Sequence, residues 1–135
     1  MIVFHFGPLS KSELTIDFDE EGAVSFFQKI SALLDGMDGA EHVACFHSFR
    51  GNLEEATIEL RLGSLDCLEL KKHSLILEMN RDASEYALSQ LSEFLGAGYF
   101  SPAEFWSFSR AGRKYDTQVF FGKLSLTVVT PLPPA

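Results

Sequence analysis

Basic residues are scarce in the first half of this chain: residues 1 to 69 hold 4 Lys/Arg against 13 Asp/Glu, net −9, while residues 70 to 135 hold 7 against 6, net +1. An acidic half of that strength repels nucleic acid and speeds encounter with a basic partner; in the plainer reading it is a solvated surface that keeps the protein in solution. Long apolar runs are also missing. None approaches the ~18 residues of a membrane span, and the start, MIVFHFGPLSKSELTIDFDEE, has neither the cationic flank nor the small-residue cleavage site of a signal peptide. A cytoplasmic protein with no membrane partner is therefore expected. Only two cysteines occur, Cys45 and Cys67, both inside apolar alternations where buried free thiols are common, so no disulfide is expected. The chain contains no G-x-x-x-x-G-K-[ST], G-x-S-x-G or H-E-x-x-H, and no internal linker rich in Gly, Ser or Pro. A catalytic pair assembled in space could leave no motif, yet these absences tilt the reading away from an enzyme.

What is present is core. The 135 residues make one domain by length, 46% of them are hydrophobic, and thirteen phenylalanines supply bulk. A shift of 61 residues lays SELTIDFDEEGAVSFFQKISALLDG over HSLILEMNRDASEYALSQLSEFLGA. Leu14, Ile16 and Phe18 then fall on Leu75, Leu77 and Met79, the period of two of a half-buried strand. Phe26, Phe27, Ile30, Leu33 and Leu34 fall on Ala87, Leu88, Leu91, Phe94 and Leu95, one face of a helix. After each helix come EHVACFHSF (41 to 49) and EFWSFS (104 to 109), then ATIELRLGSLDCLEL (56 to 70) and DTQVFFGKLSLTVV (116 to 129). The last two read as hairpins turning at Gly63-Ser64 and Gly122-Lys123. SPAE at 101 to 104 is a competing helix start, but the first copy has no such signal, so a strand is favoured there. The expected class is α+β: a tandem ββαββ repeat, about 1 to 63 and 64 to 130, forming a largely antiparallel sheet with two helices packed on one face. Strand 124 to 129 closes the sheet, and 131 to 135 is an extended tail.

Asp17, Asp19, Glu21 and Gly22 imitate the opening of a calcium-binding EF-hand loop, but the second copy reads Glu78, Asn80, Asp82 and Ala83. The shared feature is a helix N-cap at Asp19 and Asn80, with Glu20 and Glu21 complementing the helix dipole. Position 12 of a calcium loop should be a bidentate Glu and is Gln28, and a strand rather than a helix leads in. The helices are expected to stop at Gly36 and Gly96. His42, Cys45 and His47 lie within six residues, but on a strand only Cys45 and His47 share a face, so neither a zinc set nor a thiol dyad is expected. His5 reads as a strand residue and His73 as a turn residue. Gly96-Ala-Gly98 follows a helix rather than a strand and is a helix stop, not a dinucleotide loop. No catalytic residue, cofactor or metal is assigned. Arg110, Arg113 and Lys114 beside Tyr115 could contact a phosphate or an acidic groove, although such loops are more often simply solvated. Of Tyr99, Phe100, Phe105, Trp106 and Phe108, most are expected in the core and some on the surface.

The order strand, acidic cap, amphipathic helix and a strand of the type Glu41-His42-Val43-Ala44-Cys45-Phe46 resembles small bacterial immunity proteins that neutralise toxins delivered by neighbouring cells. The resemblance implies an intracellular non-enzyme that covers a toxin's basic active site with acidic and aromatic side chains. On that reading Asp17, Asp35, Asp38, Glu41, Glu54, Glu55 and Glu59 form the steering surface and Trp106 the buried anchor. Two other classes stay open. One is a self-associating structural or regulatory domain, a homodimer formed through an uncovered sheet face or an edge strand. The other is a small enzyme or ligand binder with a pocket between sheet and helices near Cys45, His47 or Glu104.

Overall fold

Apolar alternation makes strands and three-to-four spacing makes helices, and the structure, a computed structural model, describes the outcome for residues 1–7, 12–36 and 39–125. The elements in order are β1 (Ile2–Phe6), β2 (Glu13–Phe18), α1 (Glu20–Leu34), β3 (Ala40–Phe49), β4 (Asn52–Leu62), β5 (Cys67–Lys71), β6 (Ser74–Met79), α2 (Arg81–Ala97), β7 (Glu104–Arg110) and β8 (Thr117–Lys123). The class is α+β. Eight strands form one mixed sheet in which the antiparallel pairs β1/β2, β3/β4, β5/β6 and β7/β8 hold the larger share of the register. Parallel contacts β1/β3, β2/β8, β4/β6 and β5/β7 join those pairs into a closed barrel in the order β1-β2-β8-β7-β5-β6-β4-β3. α1 lies against β2, β3 and β4, α2 lies against β6 and β7, and the two helices touch each other.

Both helices start as their sequences dictate. The Asp19 carboxylate accepts the Gly22 N–H at 2.7 Å and the Asn80 side-chain oxygen accepts the Ala83 N–H at 2.7 Å, each satisfying an N–H that has no partner within its helix. α1 buries Ala23, Phe26, Ile30 and Leu33, and α2 buries Ala83, Ala87, Leu91 and Phe94, while Phe27, Leu34, Leu88 and Leu95, expected on the same faces, are only partly buried against the core. The sheet contributes Phe4, Leu14, Ile16, Phe18, Ile58, Leu60, Leu75, Leu77, Phe108 and Phe121 to the same interior. Phe121 is central: its ring centroid lies 4.4 Å from Phe105, 5.3 Å from Phe18 and 5.6 Å from Phe100. Offset and edge-on aromatic pairs of this kind contribute about 0.5–1.5 kcal/mol each beyond the area they bury.

Several expectations are corrected. The segment 56 to 70 is not a hairpin: β4 pairs with β3 and, in parallel, with β6, and β5 lies on the far side of β6. Gly122 and Lys123 do not turn; they sit within β8 opposite Asp17 and Phe18 of β2. Local turn chemistry suggested both hairpins, and pairing with a distant strand overrode it in each. Leu124 and Ser125 are outside any strand, and the remainder of the expected strand 124 to 129, like the tail 131 to 135, lies outside the described residues. α2 runs through Gly96 to Ala97, so the left-handed stop is Gly98 with φ of 87°, whereas Gly36 adopts φ of 71° as expected. The sheet is not an open layer with one bare face and free outer strands, because each of the eight strands has a neighbour on both sides. Residues 104 to 110 are strand, as expected over the competing helix start at 101 to 104. A bulge between Glu104 and Trp106 changes the phase there, which lets both Phe105 and Phe108 reach the core.

Candidate functional site

The β3/β4 ladder is longer than the barrel wall. It pairs continuously from Ala40↔Arg61 out to Phe49↔Asn52, but β1 meets β3 only at Phe46 and His47, and β6 meets β4 only from Thr57 onward. Residues 48 to 53 are therefore a two-stranded tip with no strand on either flank, and Glu54 and Glu55 continue this arm on β4 with their outer side open, opposite His47 and Phe46, which carry β1. Its tip turns at Arg50 and Gly51, with φ of 51° and 81°; a two-residue turn with positive φ at both positions matches the right-handed twist of the flanking strands. Phe49 is 49% exposed and Leu53 37%, and Arg50 stacks on Phe49 with its guanidinium carbon 5.0 Å from the ring centre. Glu54 and Glu55 follow directly. Glu55 is exposed, and Glu54, itself half exposed, has an oxygen 3.9 Å from His73 Nδ1. At the arm's root His47 stacks on Phe4, with centroids 4.6 Å apart and planes within 9°. Burial in that stack lowers the His47 pKa, with Glu54 opposing the shift and His73 and His5 adding to it.

The acidic residues singled out from the sequence do not form one surface. Glu54 and Glu55 share the arm. Glu41 lies 3.9 Å from Lys29 of α1 with 16% of its side chain exposed. Glu59, equally covered, accepts from His42 at 3.0 Å and from Arg61; burial pushes its carboxyl up, but those two partners outweigh it and hold it below the usual range. Asp17 is half-buried on β2 opposite Gly122, and burial raises its pKa with partial relief from His5. Asp35 is exposed at the end of α1, and Asp38 lies outside the described residues. Trp106 is partly buried and already engaged: its indole N–H donates to Asp66 Oδ2 at 3.0 Å and its ring packs on Tyr86 and Phe105. Sequence reasoning passed over Phe49 and Leu53. The signal was there, in an alternation that runs unbroken into the Arg50-Gly51-Asn52 turn, but nothing local says that the neighbouring strands end early.

The chemistry-bearing residues keep apart. Cys45 is buried and burial pushes its thiol up to about 12, while Cys67 is a second free cysteine whose pKa is raised chiefly by burial. A thiol so placed is almost wholly protonated at neutral pH and is a poor nucleophile. His42 faces away from Cys45 and bonds Glu59. An open concavity of about 470 Å³ is lined in part by Ala44, Cys45, Glu55, Thr57 and His73, and its thiol is held protonated by burial while Glu55 is exposed. Among the described residues no three His, Cys, Asp or Glu side chains come together as a metal set, and no helix is long and apolar enough to cross a membrane. Compared with protein-family models, with curated proteins and with solved structures, the chain matches none.

Proposed function

We propose that this protein is a non-enzymatic protein-binding module of immunity type that uses the β3–β4 arm to occlude a basic surface on another protein. One observation carries the proposal: the tip of the arm stands clear of the barrel with Phe49 and Leu53 exposed, Phe49 on the face that carries Glu54 and Leu53 on the face that carries Glu55. A net charge of −8 steers a basic partner toward the protein and raises the association rate, and desolvation of the aromatic and leucine side chains sets the residence time. The anchor role moves from Trp106, whose indole is held by Asp66, to Phe49. The same reading takes the chain as a duplicated ββαββ unit acting in the cytoplasm; the recurring order of two strands, helix and two strands, and the matched caps Asp19 and Asn80, support the duplication.

A photo-crosslinking side chain at position 49 should capture a basic protein in cells, whereas the same group at Tyr99, exposed but off the arm, should not. With that partner purified, Glu54→Lys with Glu55→Lys should slow association and flatten its salt dependence, and Phe49→Ala with Leu53→Ala should speed dissociation. Unchanged rates in both variants would reject the arm as the contact.

A second reading has its own support. The flanks of the arm offer unpaired backbone groups, and a second copy could add there as a strand. Light scattering separates the two: a dimer lost on Leu53→Pro favours self-association, and a monomer favours a different partner.

A further inference from the structure

The end of β7 and the loop to β8 bring three of the chain's eleven basic residues within five positions of one another. Gly112, with φ of 76°, reverses the chain so that the Arg113 N–H donates to the Arg110 carbonyl at 3.1 Å, and Ser12 is brought alongside by its carbonyl accepting the Gln118 N–H at 2.8 Å. Ser12, Arg110, Arg113, Lys114, Tyr115 and Thr117 line a cavity of about 180 Å³. Water's share of liquid volume is about 30 Å³ per molecule, so the cavity holds several waters or one tetrahedral oxyanion. The Arg110 guanidinium is held over the Phe6 ring at 4.6 Å, and Lys114 Nζ lies 5.7 Å from the Tyr115 ring centre. Among the described residues, none of these three cations has a carboxylate within ion-pair distance, although acidic residues outnumber basic ones 19 to 11 in the chain. Arg110 rests on the half-buried Phe6 ring while Arg113 and Lys114 are exposed, and two arginines that line one small cavity repel each other until an anion enters. Burial and Arg113 both lower the Arg110 pKa, which accords with that repulsion.

We infer that this cavity is a binding site for a dianionic phosphate group, held by the guanidiniums of Arg110 and Arg113 with Lys114 closing the charge. The inference is independent of the arm's role, since none of its residues belongs to the arm.

The test is a titration of ¹⁵N-labelled full-length protein with inorganic phosphate and with phenyl phosphate, against chloride at matched ionic strength. Saturable shifts confined to Ser12, Arg110 and residues 112 to 117 are expected, with affinity falling as salt rises. Binding of both probes indicates a phosphate carried on a small molecule, and binding of inorganic phosphate alone indicates the free anion; either supports the site. Arg113→Gln should weaken binding at least tenfold, and Arg110→Met, which keeps an apolar stem over Phe6, should do the same, while Arg81→Gln on α2 should leave it unchanged. Shifts equal to those in chloride, or equal affinity in Arg113→Gln, would overturn the assignment.

Discussion

A single carboxylate, Asp66, ties three parts of the chain together. Its Oδ1 accepts the backbone N–H of Asn80 at 2.7 Å, and its Oδ2 accepts the Asn80 side-chain N–H and the Trp106 indole, each at 3.0 Å. The loop before β5, the cap of α2 and β7 thus share one anion, and hydrogen bonds to a charged group are stronger than neutral ones. The caps Asp19 and Asn80 were legible because capping is local; Asp66 was not, because its partners lie 14 and 40 positions away. Asp17 is the opposite kind of residue. Burial raises its pKa in the folded chain above the ordinary 3.8, so the folded state binds the proton more tightly than the unfolded state does. The ionised form therefore costs stability above the raised value, and that cost is relieved as pH falls toward the unfolded value. Asp17→Asn should raise the urea midpoint at pH 7, and the gain over the parent should shrink as pH falls through 4. A gain that is absent at pH 7 or that grows on acidification would contradict the burial argument.

At the scale of elements, the helices follow from their own sequences and the strand pairing does not. Two glycines test how the helices sit. In Gly22 an added Cβ would strike the Met1 carbonyl oxygen and come within 2.8 Å of Ile2 Cγ1, so this turn of α1 packs directly on the backbone that enters β1. Gly96, inside α2, has nothing within 4 Å of an added Cβ. Alanine is favoured over glycine by about 1 kcal/mol in a helix interior, whereas overpacking against backbone costs about 1–3 kcal/mol. Gly96→Ala should therefore stabilise by roughly 0.5–1 kcal/mol and Gly22→Ala should destabilise by roughly 1–2 kcal/mol in urea unfolding. Equal effects at the two sites would mean that α1 does not lie against the chain start as described. Strand existence was readable in β2, β3, β4, β6 and β7 because each alternates. Partner choice was misread at 56 to 70, where Gly63-Ser64 looked like a hairpin turn but β4 continues beside β6.

For the molecule as a whole, closure crosses the midpoint of the chain twice. β2 finds its second neighbour in β8 and β4 finds its second neighbour in β6, six register pairs in each case. Residues 1 to 66 alone would leave β2 and β4 with bare edges and α1 without α2. That fragment should give a collapsed amide spectrum as a monomer, while the full chain unfolds in one transition by both circular dichroism and tryptophan fluorescence. A folded monomeric fragment would refute a shared core; a folded dimer would not, since a second copy could supply the missing neighbours. From the sequence alone came the α+β class, the two helices with their caps and buried faces, and the acidic bias of the first half, all of which depend on residues near one another or on plain counts. The tertiary structure alone decided the barrel, the projecting arm and the placing of Phe6 and Ser12 beside Arg110, Arg113 and Lys114, a cluster that was itself legible in the sequence. Each arises where strands distant in the chain meet or fail to meet, and the alternation within a strand carries no information about which neighbour it will take or where that neighbour will end.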